Sequence, residues 1–250
     1  MALLDVLARL APKVGFELAA HGVDHGLRAE ACVELDLAAA HARALGVPFA
    51  RSVLAVAPGG NLQARARTAR YAALESAAEG AGATLLATAH HADDRAETVL
   101  LRLLRGSGPR GLAVLPPRAG GRIRPLLRAR RSDILLHLCR HGVPYAEDPS
   151  NRDRRHQRVR VREELLPLLA DLSPGIVGHL NALADALAEA HETATPVDLA
   201  LGRAQRRLLT RAVALRQRGA RIWLPGGAVL GLDPATLEPR VTAQARRHKS

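Results

Sequence analysis

The feature that most constrains this chain is an alternation across its first 105 residues. Short apolar segments of strand length are separated by amphipathic stretches of helical period. A helix over Ala2–Leu10 leads to an apolar strand, FELAAHGV (Phe16–Val23). A helix over Arg28–Leu45 follows, closed by Gly46 as the residue after its C-cap. The pattern repeats with a strand within PFARSVLAV (Pro48–Val56), a Pro-Gly-Gly turn (Pro58–Gly60) and a helix from Asn61 to Glu79. A short buried strand, TLLATA (Thr84–Ala89), and a helix over Asp93–Arg105 complete it. Strands joined by crossover helices predict an α/β fold with a doubly wound parallel sheet. Such a domain normally opens on a strand, whereas this chain opens on a helix, so the sheet is expected to miss its first strand.

Beyond residue 105 the pattern changes. A Gly/Pro loop over Arg105–Pro117 precedes RIRPLL (Arg122–Leu127), read as a last strand, and Ser132 is read as the cap of a helix ending at Gly142. Arg155–Ala170 and Pro174–Ala190 read as helices, with Ser173-Pro174 as cap and first helical residue. After residue 193 the periodicity supports no assignment. The expected organisation is a nucleotide-binding domain over 1–150, a helical appendage over 151–195 and an undefined tail over 196–250.

No apolar run reaches the 18 or so residues of a membrane span, and the first residues lack a basic start before an apolar block, which disfavours a secretory signal. Cys32 and Cys139 stand far apart, which offers neither a disulfide framework nor a zinc ribbon. The expected location is the cytoplasm. Charge is more telling: 36 Lys plus Arg against 24 acids give +12. An excess of this size suits a polyanion, because neutralising phosphates releases counterions. Aromatic residues are only 2%, which disfavours a base-stacking platform.

Three clusters could carry chemistry. HGVDHGLR (His21–Arg28) lies at a strand end, the edge where doubly wound sheets place ligands. Its bland reading is a polar loop. In AHHADDRAETVLLRLLRGSG (Ala89–Gly108), Asp94 and Glu97 sit one turn apart at a helix start, with His90, His91 and Asp93 crowded beside them. The acids read either as a capping box or as a clamp for a cation, metal ion or amino-acid ammonium. Arg105-Gly106-Ser107-Gly108 supplies a guanidinium and a flexible loop suited to phosphate or carboxylate. Arg152, Arg154, Arg155, Arg158, Arg160 and Arg162 are six arginines in eleven positions, which repel one another unless an anionic partner is present.

The order of these motifs is specific. HGVDHGLR, GNLQARARTARY (Gly60–Tyr71), ATAHHADDRAETVLLRLLRGSGPRGL (Ala87–Leu112), RIRPLL, and AEDPSNRD before an arginine-rich stretch together resemble the bacterial tRNA(Ile)-lysidine synthetases of the N-type PP-loop superfamily. The resemblance covers about residues 1–190. It implies a ligase that uses ATP and Mg2+ to adenylate the wobble cytidine of the CAU-anticodon tRNA(Ile). Free L-lysine then displaces AMP to form lysidine. By position it implies His25 at the nucleotide pocket, and Arg70 with Gly106, Ser107 and Gly108 facing ATP or the adenylate. Asp94 and Glu97 would hold the lysine ammonium, with His90 and Asp93 close by. Glu147, Asp148, Asn151 and the arginines after them, Arg155, Arg158, Arg160 and Arg162 included, would face tRNA. It implies no membrane partner and admits a homodimer.

Two departures qualify this. Val159 stands where such proteins often carry asparagine. Their SGGxDS phosphate loop, between first strand and first helix, has no counterpart, and Met1 falls where that loop ends. The expectation is a late-starting synthetase that is inactive as it stands. The alternatives are a loop-less relative that binds tRNA without chemistry, or another tRNA-modifying PP-loop enzyme.

Overall fold

The structure, a computed structural model, describes residues 1–24, 30–54, 62–146, 154–192, 203–217, 220–223, 228–232 and 239–244. His25, Glu147, Asp148, Asn151, Arg152 and the Pro58–Gly60 turn lie outside the described residues.

The expected alternation is present. Helix α1 (Ala2–Val14) runs through Pro12, past the predicted end, and stops where Gly15 turns left-handed at φ 80°. The Gly15 N–H then caps the carbonyl of Ala11 at 2.8 Å. Strand β1 (Ala20–Asp24) pairs in parallel with β2 (Phe49–Val53), and α2 (Glu30–Ala44) is the crossover between them. Gly22 permits this packing, because a Cβ there would collide with the Leu35 side chain of α2. Helix α3 (Leu62–Gly80) leads to β3 (Leu86–Ala87), which pairs in parallel with β5 (Arg122–Ile123). Strand β4 (Arg118–Ala119) closes a hairpin on β5.

The α/β class therefore stands, but among the described residues the parallel ladders fall in two separate sheets. β1-β2 and β3-β5-β4 flank a cleft of about 1030 Å3. This also explains why the strands are shorter than predicted: Phe16–Leu18 and Thr84–Leu85 have no ladder partner. Pro125 lacks an N–H to extend β5, so Arg122–Leu127 is a strand for two residues only.

Helix α4 (Ala92–Leu104) starts beside this cleft and is followed by the short α5 (Pro109–Leu112). Helix α6 (Arg131–Arg140) begins one residue before Ser132, which is not its cap. Instead the Asp133 carboxylate accepts the Arg130 N–H at 2.8 Å. Gln157–Leu172 is one helical rod in three parts: α7 (Gln157–Arg160), a π-helical turn (Val161–Leu165) and α8 (Leu166–Leu172). Helix α9 (Ile176–Glu192) follows.

The main core joins these parts. Ala92, Ala96, Val99 and Leu100 of α4 pack with Val161, Leu166, Val177, Leu180 and Ala184. The segment predicted as an appendage thus shares its core with the helix that carries the acids. Ala96 and Ala184 are fully buried, and their small side chains let α4 and α9 approach closely. The Asn181 amide donates to the carbonyl of Ala92, pinning α9 to the start of α4.

Arg95, fully buried, strengthens the same junction. Its Nε donates to the Val114 carbonyl at 3.0 Å and its Nη1 to Asp185 at 2.6 Å. Arg128 bonds the other Asp185 oxygen at 2.7 Å. Burial alone would raise the Asp185 carboxyl pKa, but hydrogen bonds from Arg95 and Arg128 outweigh it and hold it below the usual range. Asp185→Ala strands Arg95 in the core, so a loss of about 3–5 kcal/mol is expected, read as a lowered urea midpoint. Asp5 plays a comparable part on the other side. It is fully buried and accepts hydrogen bonds from Arg9 at 2.7 Å and His137 at 2.8 Å, with the His41 ring nitrogen 3.2 Å away, which ties α1 to α2 and α6.

The last residues, where periodicity made no prediction, contain α10 (Arg203–Ala214) and an antiparallel meander. Its strands are β6 (Arg221–Trp223), β7 (Ala228–Leu232) and β8 (Pro239–Gln244). Ile222, Val229, Leu230 and Leu232 are buried.

Candidate functional site

The cleft between the half-sheets is apolar over most of its length, lined by Leu3, Leu4 and Leu7 of α1 and by Leu74 and Ala77 of α3. At the end of β3 it becomes polar. Arg67 and Arg70 from α3, His90 and Asp94 from the β3–α4 junction, and His156, Arg158 and Arg162 from the α7 region all reach it. Ligands of open parallel sheets collect at this carboxyl end of the strands.

The acids divide their work. His91 is the N-cap of α4. Its ring nitrogen accepts the Asp94 N–H at 3.4 Å, and Asp94 Oδ2 accepts the His91 N–H at 3.1 Å. A capping box therefore exists, but it joins His91 to Asp94, and Glu97 has no part in it. Asp94 keeps its other oxygen for Arg158, whose Nη2 lies 2.8 Å from Oδ1. Glu97 is only 1% exposed and accepts from Arg158 Nε at 2.7 Å and from Arg162 at 2.6 and 3.1 Å. The Glu97 contact raises the Arg162 pKa above its ordinary value.

Asp93 does not face the cleft. Arg130 chelates it, at 3.1 Å for the shortest contact, and it accepts the Arg131 N–H at 2.7 Å. Burial would raise its carboxyl pKa, but these bonds win and lower it. Asp93 fixes the start of α6, which corrects its expected place beside a bound ligand.

His90 faces the cleft, with Nδ1 3.1 Å from Thr88 Oγ1. Burial pushes its pKa down to about 4; the Asp94 carboxylate opposes this, and Arg124, Arg67 and Arg158 add to it. The imidazole is therefore neutral at physiological pH. Its NMR chemical shifts should stay flat from pH 8 to about pH 5, where an ordinary histidine would have titrated near 6.5. A midpoint above 6 would mean that His90 lies open to water.

Three guanidinium groups crowd Tyr71: Arg67 at 5.2 Å, Arg70 at 5.6 Å and Arg122 at 4.9 Å from the ring centre. Arg122 also pairs with Glu75. Arg67 and Arg70 carry positive charge into the cleft, as expected for Arg70. Arg67 is a site residue that no motif singled out; its three-residue spacing from Arg70 on one helical face is the signal that could have found it.

The Arg105–Gly108 loop is not brought to this cluster. Arg105 lies eleven residues beyond Asp94, about 16 Å along α4 at helical rise. The Gly106 and Ser107 amides are spent closing that helix, on the carbonyls of Leu103 and Arg102. Gly106 and Ser107 thus serve as a helix stop, and Arg105, Gly106, Ser107 and Gly108, expected at the nucleotide phosphates, are not among the residues that line the cleft. Arg158 and Arg162 turn inward to the acids, which corrects their expected display toward a polyanion. Arg154, Arg155 and Arg160 remain on the surface. Arg160 is held by Glu164 at 3.0 Å, and Arg154 lies 3.5 Å from Glu163. His21, from the first motif, bonds Ser52 at 2.9 Å and ties β1 to β2.

Comparison with known proteins matches this architecture. Residues 1–169 fit the family model described as a PP-loop domain. A tRNA(Ile)-lysidine synthase of Pseudomonas aeruginosa is 43% identical over 195 residues, covering 76% of this chain and 44% of that protein. One from Ralstonia nicotianae is 38% identical over 259 residues, covering 95% and 54%. The chain spans about half the length of the curated relatives it matches. Among solved structures, the U34-tRNA thiolase NcsA from Methanococcus maripaludis with its [4Fe-4S] cluster superposes with a TM-score of 0.65. The identity is 17%, with 75% of this chain and 67% of that one covered, so the likeness concerns the fold. On the family match over its first 169 residues, the chain belongs to the PP-loop domain family.

Proposed function

We propose that this chain acts in lysidine synthesis, using ATP to adenylate the wobble cytidine of the CAU-anticodon tRNA(Ile) and lysine to displace AMP. The observation that carries the reading is Asp94 at the polar end of the cleft with Glu97 buried behind it, both already holding cationic nitrogen through Arg158, in a chain similar to lysidine synthases. The cytidine oxygen bonds to the α-phosphorus of ATP as the α–β phosphoanhydride bond breaks and pyrophosphate leaves, which makes AMP a leaving group on C2. The C2–O bond then breaks as the lysine nitrogen bonds to C2, AMP carries the oxygen away, and the amine loses its protons.

The chain's own residues serve binding and orientation. Asp94 and Glu97 hold the ammonium, while Arg67 and Arg70 offset phosphate charge along the α3 wall. Neutral His90 provides a polar contact without adding to the positive field. Arg154, Arg155 and Arg160 present guanidinium groups to tRNA phosphates in the cytoplasm. Magnesium fits less well. Asp93, Asp94 and Glu97 are each engaged by arginine, and no three His, Cys or acidic side chains cluster as a metal seat among the described residues.

The test measures AMP release and lysine incorporation with CAU-anticodon tRNA(Ile), L-lysine and Mg-ATP. Turnover would overturn the expectation that the chain is inactive as it stands; where it occurs, both signals should require the tRNA and the amino acid, and Asp94→Asn should raise the lysine KM at least ten-fold with tRNA affinity nearly unchanged. Tight tRNA binding without AMP release agrees equally with the late-starting synthetase and the loop-less binding relative, and leaves active synthesis by this chain overturned.

A further inference from the structure

We propose that Arg158 is an internal competitor for the seat formed by Asp94 and Glu97, so that a primary ammonium enters only as this guanidinium leaves. The proposal rests on the reading that the acid pair takes the amine of an amino acid. It adds what occupies that pair beforehand, and what the incoming amine must displace.

Among the described residues, Arg158 is the side chain that bridges both acids, with Nη2 at 2.8 Å from Asp94 Oδ1 and Nε at 2.7 Å from Glu97 Oε2. Arg162 bonds Glu97 alone. Two carboxylates thus face two guanidinium groups, a formally neutral cluster. A third cation added to it would find no net charge to attract it and no carboxylate oxygen without a donor, in a partly dry site where desolvating it is costly. An ammonium is bound favourably only in exchange for one of the arginines.

Exposure decides which one leaves. The Arg158 side chain is 41% exposed against 24% for Arg162. Arg158 already meets water, and its departure leaves Glu97 paired with Arg162. Loss of Arg162 would remove the bidentate partner of a carboxylate that is almost fully buried. The chemistry of the exchange also matches. An ammonium has three donors in a compact head, enough for Asp94 Oδ1 and Glu97 Oε2, the two oxygens that Arg158 releases. The arginine lowers the affinity for free amine, and its removal should raise that affinity.

The experiment is calorimetric titration of L-lysine into the full chain and into Arg158→Gln. The variant should bind at least ten-fold more tightly. Equal or weaker binding by the variant overturns the proposal while the amine-seat reading stands. Binding by neither protein overturns both, and lysine-dependent AMP release then tests the catalytic reading by itself. A measurement on the unsubstituted protein covers the case in which the variant does not fold. Arginine Nε–H signals are followed by NMR during the lysine titration. The Arg158 signal should move to a solvent-exchanging position while that of Arg162 stays. Both signals unmoved at saturating lysine would overturn the proposal.

Discussion

Glu97→Ala should cost the protein about 3–5 kcal/mol, the usual penalty for removing one partner of a buried ion pair. Few single substitutions in this chain should cost as much. Glu97 is nearly inaccessible to water and collects three hydrogen bonds from two arginines of the α7 rod. Its loss leaves Arg162, a largely buried side chain, facing Asp94 and Arg158 without its bidentate acceptor. With a typical net stability of about 5–15 kcal/mol, much of the margin disappears. The measurement is urea denaturation, and the milder Glu97→Gln should fall between wild type and alanine. Lysine binding should vanish in both variants. An unchanged midpoint in Glu97→Ala would mean that the arginines reach solvent without strain, and that the α4–α7 junction is held by its apolar contacts alone.

The second large effect concerns nucleic acid. Replacing Arg154, Arg155 and Arg160 together with Ala should lower the slope of log K against log salt by about 2 units, at about 0.7–0.9 per lost phosphate contact. Arg154 and Arg160 already touch glutamates, but exposed pairs are worth only about 0–1 kcal/mol, so a phosphate can take these guanidinium groups over. Arg162→Ala should leave the slope nearly unchanged and lower stability instead. A triple variant with the wild-type slope would show that the arginine-rich segment only coats the rod.

Sequence periodicity made the first half of the molecule legible for local reasons. Helix α4 buries one stripe, Ala92, Ala96, Val99 and Leu100, and glycines stand where the chain turns left-handed after α1 to α4, at Gly15, Gly46, Gly82 and Gly106. The site was legible to the same degree. Asp94 and Glu97 were placed at a helix start beyond a strand, and there they lie. The strands were harder to bound, because a strand is defined by its neighbour. Thr84–Ala89 has strand composition throughout, yet only Leu86 and Ala87 find a partner, in β5. The meander after residue 220 was illegible, since its strands gain their burial from one another and from α10 rather than from a periodic stripe.

The arginine-rich run shows where local reading stops. Six arginines in eleven positions announced a shared fate, and the tertiary structure divided them. Arg158 and Arg162 are four residues apart, on the side of the rod that α4 covers, and so meet Glu97; Arg154 and Arg160 do not. Asp93 and Asp94 are neighbours in sequence, and successive residues on a helix point about 100° apart. One therefore anchors α6 and the other borders the cleft. The sequence by itself determined the kinds of elements, their order, and the cluster of acids at the strand end, because these depend on periods of a few residues. Only the tertiary structure decided which charge meets which. Any carboxylate accepts any guanidinium within about 3 Å, so the choice depends on how α7, α9 and α6 pack around α4 from 40 to 90 residues away.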